Sequence, residues 1–134
     1  MSSAPSAVLD SACGARVLVV DDEALVGRAV ARVLGKRHDV AVATSGREAL
    51  ALLEGGREFD LVLCDIMMPG MDGMDLYRTV AERHPGMTDR FVFLTGGAFT
   101  LEAEAFLAAT KVERIIKPFD SAALRLLAAA RARR

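Results

Sequence analysis

The chain has 134 residues, and its 17 Lys and Arg nearly balance 18 Asp and Glu, for a formal charge of −1. This length suits one domain, and an apolar share of 52% is enough for a sizeable core. The balanced charge lacks the basic excess of nucleic-acid-binding proteins, and no apolar run approaches the ~20 residues of a membrane-spanning helix. We therefore expect neither direct nucleic-acid contact nor membrane insertion.

The N-terminal region differs in composition from the rest of the chain. Residues 1–14 are rich in Ser, Ala, Pro and Gly without periodicity, which predicts a flexible lead before a domain at 15–134. The lead lacks the basic start and the long apolar run of a signal peptide. The two cysteines, Cys13 and Cys64, form no CxxC pair or disulfide framework, so we expect a reducing, cytoplasmic compartment.

Strand-like and helix-like patterns alternate along the remaining chain. Strands are predicted where short β-branched or aromatic runs occur, and helices where apolar residues recur every three or four positions. Ser45 followed by Glu48 has the spacing of a helix N-cap with its capping-box partner. In chain order the predicted elements are a strand at 16–20, a helix at 23–36, a strand at 39–43, a helix between Ser45 and Gly55, a strand at 60–65, a helix at 75–84, a strand at 90–95, a helix at 99–109, a strand at 112–117 and a helix at 121–134.

Five strands that alternate with five helices predict an α/β fold. Each βαβ unit makes a right-handed crossover, so the strands form a parallel sheet with helices on both faces. Ligands of such doubly wound sheets bind outside the carboxyl ends of the strands. The residues that end or follow each strand are therefore the candidates for a functional site.

Charged and hydroxyl side chains stand at the ends of four predicted strands. Asp21 and Asp22 follow the first strand, Asp65 ends the third, Thr95 ends the fourth and Lys117 ends the fifth. Three carboxylates at one edge repel one another and favour a hard divalent cation, Mg²⁺ or alternatively Mn²⁺. The amine and the hydroxyl would complete a cradle for a small tetrahedral anion, and a carboxylate can form an acyl phosphate.

Four motifs in order give the chain a resemblance to a known family. They are "VLVVDDE" (17–23), "LVLCDIMMPGMDG" (61–73), "FLTGG" (93–97) and "IIKPF" (115–119). Together, at this spacing and over nearly the whole of 15–134, they resemble a response-regulator receiver domain of bacterial two-component signalling. The resemblance implies a flavodoxin-like fold whose five-stranded parallel sheet has the order 2-1-3-4-5.

The resemblance also implies roles for the acidic residues. Asp65 resembles the phosphoacceptor, which takes a phosphoryl group from a histidine of a histidine kinase or of a histidine phosphotransfer domain. Asp22 resembles the direct Mg²⁺ ligand, and Asp21 an acidic neighbour that acts largely through water. The backbone carbonyl of Met67 would be a further metal ligand. Such a domain is a signalling phosphoacceptor that assists its own phosphorylation and dephosphorylation, and is not an enzyme.

The resemblance assigns the remaining site residues to the phosphoryl group and its readout. Lys117 would contact a phosphoryl oxygen, and the Lys117–Pro118 bond is expected to be cis. Thr95 would move its hydroxyl onto the phosphoryl group and report phosphorylation to a partner-binding surface. The family usually couples this threonine to an aromatic residue three positions before the lysine, where this chain has Arg114. This departure leaves the phosphoryl chemistry intact but changes the relay to the surface.

Several alternatives remain at this point. The stretch from 93 to 120 resembles the C-terminal receiver of hybrid sensor histidine kinases, so the chain is alternatively a domain excised from such a kinase. A Mg²⁺-dependent aspartyl phosphatase would need an aspartate where Met67 stands, and a flavodoxin-like cofactor binder would need aromatic flanks instead of an acidic edge. A phosphorylation-independent docking domain is disfavoured because the acids, the threonine and the lysine are all present. His38 and His84 have no partner motif, and we expect both at the surface.

Overall fold

The computed structural model describes residues 14–96 and 100–132, which contain a five-stranded parallel sheet. The order of the strands is β2-β1-β3-β4-β5, so the predicted fold class and strand order are confirmed. The expected flexible lead lies, apart from Gly14, outside the described residues. The strands are β1 (Arg16–Val20), β2 (Asp39–Ala43), β3 (Leu61–Asp65), β4 (Phe91–Thr95) and β5 (Arg114–Ile116).

Five α-helices connect and follow the strands within the described residues. They are α1 (Ala24–Leu34), α2 (Gly46–Glu54), α3 (Gly73–Arg83), α4 (Leu101–Thr110) and α5 (Ser121–Arg131), and two short 3₁₀ helices cover Gly35–Arg37 and Pro85–Arg90. Within the described part of the chain, none of the helices has the length and apolar character needed to cross a membrane.

The sheet separates two apolar cores because side chains alternate along each strand. On one face, Val17, Val19 and Leu63 pack with residues of α1 and α5, such as Val30 and Leu124. The other face carries the aromatic residues of β4 and packs against α2, α3 and α4. β1 and β3 are therefore buried on both faces, which explains why their sequences are continuous apolar runs.

The helix N-termini differ from the prediction in two details. Ser45 does cap α2 by accepting the N–H of Glu48, but the Glu48 carboxylate accepts the N–H of Thr44 and not that of Ser45. A full capping box occurs instead at α3, where Asp72 and Asp75 each accept the other's backbone N–H. With this capping box, α3 begins at Gly73, two residues before the predicted start.

The base of the sheet, at the amino ends of the strands, holds a further difference. The Nδ1 atom of His38 accepts the backbone N–H of Ala15 at 2.9 Å, and His38 is partly buried. Burial and the nearby charge of Arg37 lower the pKa of His38. His38 is therefore less exposed than the surface position expected, because β1 and β2 begin side by side and His38 directly precedes β2.

Candidate functional site

The carboxyl ends of β1 and β3 bring three aspartates together. Asp21 follows β1 and is fully buried, Asp22 beside it is exposed, and Asp65 is the last residue of β3 and only 8% exposed. One carboxylate oxygen from each lies within 4.8 Å of the others. Buried carboxylates in such proximity are unfavourable unless a cation compensates them, so this donor set fits a hard divalent ion.

Lys117 supplies a positive charge to this cluster. Its Nζ lies 3.1 Å from Oδ2 of Asp21 and 3.6 Å from Oδ2 of Asp65. Its backbone N–H donates to the carbonyl of Thr95 at 2.7 Å, which fixes it at the end of β5. The Lys117–Pro118 bond is cis, as expected. One amine thus bridges carboxylates from two strands.

One lysine faces three carboxylates in this cluster, and burial affects the pKa of both Asp65 and Lys117. Burial, together with the charge of Asp21, raises the pKa of Asp65 from 3.8 to about 6, although Lys117 and the N–H of Met67 oppose the rise. For Lys117, burial acts to lower the pKa, but the hydrogen bond to Asp21 and the charge of Asp65 outweigh it and the pKa is raised. Burial and the charge of Asp21 thus both disfavour the ionised form of Asp65, and a cation bound beside it would offset them.

The segment after β3 crosses the end of the strand and shapes the site. The N–H of Met67 donates to Oδ1 of Asp65 at 3.3 Å, while the Met67 side chain is 43% exposed. The N–H of Gly73 donates to the carbonyl of Ile66, and a Cβ at Gly73 would collide with the carbonyl oxygen of Asp65. Gly73 is therefore required for the close approach of α3 to the phosphoacceptor candidate, a function that the sequence analysis missed.

Thr95 and Arg114 occupy neighbouring strands near the site. Thr95 is fully buried, and its hydroxyl has no hydrogen-bond partner among the described residues. In the β4–β5 register Thr95 pairs with Ile116, and Phe93 pairs with Arg114, which is exposed. A buried hydroxyl without a hydrogen-bond partner is unfavourable, so a new hydrogen bond to the Thr95 hydroxyl would be stabilising.

Comparison with known proteins agrees with the fold. The model of the response regulator receiver domain matches residues 17–129. The chain belongs to this family. It is 38% identical over 113 residues to the sensor kinase CckA of Brucella abortus, covering 83% of this chain and 12% of that protein. It is also 38% identical over 120 residues to the DNA-binding response regulator MtrA of Mycolicibacterium paratuberculosis, covering 89% of this chain and 52% of MtrA.

A solved structure supports the same assignment. The CheY-like receiver domain protein of Methanospirillum hungatei JF-1 superposes with a TM-score of 0.73 at 33% identity, covering 87% of this chain and 93% of that one. The curated relatives are longer, and this receiver domain spans about half of MtrA and a small part of CckA. Receiver domains bind Mg²⁺ through an acidic pocket, and the described part of this chain carries a matching aspartate cluster.

Proposed function

We propose that this receiver, residues 15–134, accepts a phosphoryl group on Asp65 from a phosphohistidine of a histidine kinase or histidine phosphotransfer domain. The observation that carries the proposal is the position of Asp65 at the end of β3, with Lys117 3.6 Å away and two further aspartates beside it. Asp21, Asp22, Asp65 and the Met67 carbonyl would hold the Mg²⁺ or Mn²⁺ ion. We assign this activity to the cytoplasm, where kinase and receiver meet.

The transfer is a displacement at phosphorus. A carboxylate oxygen of Asp65 forms a new O–P bond as the P–N bond to the histidine ring breaks, and the imidazole nitrogen keeps the electron pair of that bond. A divalent ion held by Asp21, Asp22 and Asp65 would supply positive charge that offsets the negative charge of the phosphoryl group. Lys117 keeps its proton and its hydrogen bond to Asp21, and its ammonium, now 3.6 Å from Asp65, donates to a phosphoryl oxygen, which stabilises the charge in transit.

Thr95 would couple the phosphoryl group to the surface. Its partnerless hydroxyl gains an acceptor when a phosphoryl oxygen is attached to Asp65, so phosphorylation favours a shifted position of the β4 end. Position 114 carries an exposed arginine in place of the usual aromatic ring. We propose that the surface switch in this chain therefore acts without burial of a ring at position 114.

Intact-mass spectrometry after incubation with acetyl phosphate tests the proposal. We expect one added phosphoryl group in the presence of Mg²⁺, no adduct with EDTA, and no adduct on Asp65→Asn. Glu58→Gln, which removes an exposed carboxylate from a loop, is the matched control and should be phosphorylated normally. An adduct of equal yield on Asp65→Asn would overturn the assignment.

A phosphorylation-independent docking domain is the second candidate. If acetyl phosphate gives no adduct, beryllofluoride with Mg²⁺ separates the cases, because it mimics the acyl phosphate without a transfer step. Chemical-shift changes at Asp65 and Thr95 on addition of beryllofluoride support phosphoryl signalling. Their absence in the folded protein favours the docking function.

The similarity to CckA supports a parent protein that contains a kinase, and the similarity to MtrA supports a parent protein that contains a DNA-binding region.

A further inference from the structure

An open groove lies between α3 and α4, on the sheet face opposite α1 and α5. Its volume is about 670 Å³, within the range of roughly 300–1,000 Å³ found for ligand pockets. Tyr77 and Phe106 form its floor, with their rings edge to face at 5.4 Å between centroids. None of the residues that line it belongs to the phosphorylation site. The groove is therefore a separate surface with an aromatic base.

The composition of α4 indicates that this surface is normally covered. Ala103, Phe106 and Leu107 point into the core and are buried, as in any helix packed on a sheet. On the exposed sides of α4, Glu102 and Glu104 occupy the first turn, and the groove side continues with the exposed apolar residues Ala105 and Ala109. Exposed apolar residues grouped on one face are typical of a surface that another element covers. α4 thus lacks a covering element on its groove side among the described residues.

Charge restricts what can cover the groove. Glu82 on α3 and Glu102 on α4 both line it, both are exposed, and neither forms an ion pair within the described ranges. Arg78 also lines the groove, but its guanidinium lies 5.2 Å over the ring of Phe106 and 3.9 Å from Oδ1 of Asp75. The free charge on the two walls is therefore negative, which is complementary to a cationic partner.

We propose that the groove binds an amphipathic helix of a partner protein, with apolar residues on one face and Lys or Arg beside them. α4 lines the groove from Glu102 to Thr110, which is about 12 Å at 1.5 Å per residue and matches two to three turns of a partner helix. Apolar side chains at positions i, i+3, i+4 and i+7 would contact Tyr77 and Phe106. The flanking cations would contact Glu82 and Glu102.

A pair of matched peptides tests this proposal on the full chain in the presence of Mg²⁺. One fluorescein-labelled helical peptide carries Leu and Ala on one face and Lys on the other, and the second has Glu in place of every Lys. Fluorescence anisotropy should show binding of the Lys peptide and at least about tenfold weaker binding of the Glu peptide, because several rim charges change sign. Amide shift changes should centre on α3 and α4, and Asp65→Asn should bind equally well, because the groove excludes Asp65.

Substitutions on the two walls provide the decisive comparison. Glu82→Lys with Glu102→Lys should weaken the Lys peptide about tenfold, whereas Glu104→Lys, on α4 but outside the groove, should leave it within about twofold. If the double variant does not fold, Glu82→Gln and Glu102→Gln singly provide the same comparison with a smaller loss. Equal weakening by Glu104→Lys, or shift changes centred on Asp21 and Asp65, would overturn the proposal. So would self-association of the free chain through this groove, because it would assign the groove to a second copy.

Discussion

Replacement of Asp65 by Asn should stabilise the metal-free protein at neutral pH. The folded protein raises the pKa of Asp65 from 3.8 to about 6, so its ionised form is disfavoured by about 3 kcal/mol as an upper limit. Since the unfolded chain loses this proton first as pH rises, wild-type stability falls between about pH 4 and pH 7. Asn cannot ionise, and we expect Asp65→Asn to be about 1–3 kcal/mol more stable at about pH 8, with the difference vanishing below about pH 4.

Urea denaturation in EDTA across this pH range measures the effect. Glu58→Gln is the control for the loss of an ordinary exposed carboxylate and should change stability little. Saturating Mg²⁺ should then stabilise the wild type more than Asp65→Asn, because the ion binds the folded site and the variant lacks one ligand. A variant that is no more stable than the wild type at about pH 8, or a gain that does not depend on pH, would refute this account of the raised pKa of Asp65.

Three further predictions follow from individual contacts. Gly73→Ala should lower the free energy of unfolding by more than about 2 kcal/mol, because its Cβ would clash with the backbone at the end of β3. The control Gly86→Ala has open space around it and should be nearly neutral. Equal urea midpoints for the two variants would contradict this prediction. His38→Ala removes the acceptor of the Ala15 N–H and should cost about 1 kcal/mol near pH 8. Because the pKa of His38 is lowered in the folded protein, wild-type stability is lost as the pH falls below about 6.5. The difference in the free energy of unfolding between the wild type and His38→Ala should therefore shrink at acidic pH. A difference that grows on acidification would show that the hydrogen bond is not its cause. Thr95→Val replaces a buried hydroxyl without a hydrogen-bond partner by a methyl group of similar size, and it should stabilise the unphosphorylated protein by about 1 kcal/mol. A lower melting temperature of the variant would contradict this, because it would show that the hydroxyl has a hydrogen-bond partner.

The central strands of the sheet were predictable because burial on both faces requires a continuous run of apolar residues in the sequence. β1 coincides with the predicted 16–20, and β3 and β4 each begin one residue later than predicted. β5 was predicted at 112–117 but covers only Arg114–Ile116. It is the edge strand and pairs with β4 alone. Val112, the one apolar residue of the predicted strand that lies outside β5, packs against the core although it precedes the strand.

The composition of the candidate site was also predictable, since parallel strands place their carboxyl ends at one edge. The structure brings together Asp21, Asp22, Asp65 and Lys117 from three such ends. That Lys117 lies nearer to Asp21 than to Asp65 was not predictable, because strand spacing and burial decide it. The same holds for Gly73, whose close approach to Asp65 depends on the position of α3.

The helix boundaries show a different limit. α3 begins earlier than predicted because Asp75 occupies a capping-box position where Glu or Gln is the usual residue, so the signature was not recognised. The predicted start of the fourth helix at residue 99 lies outside the described residues, and α4 is described from Leu101, where Thr100 caps it. Gly97, in the "FLTGG" motif, also lies outside the described residues. Caps depend on single side chains, so they are harder to predict than a run of apolar residues.

The most direct test of the central claim is the location of the phosphoryl group. After incubation with Mg²⁺ and phosphoramidate, a donor with the same P–N bond as phosphohistidine, borohydride reduction converts an aspartyl phosphate to homoserine. Tandem mass spectrometry of the digested protein then identifies the modified position. Homoserine at position 65, lost when Mg²⁺ is omitted, is the predicted result. Homoserine at position 21 or 22, or phosphate on a histidine, would contradict the assignment of Asp65 as the phosphoacceptor.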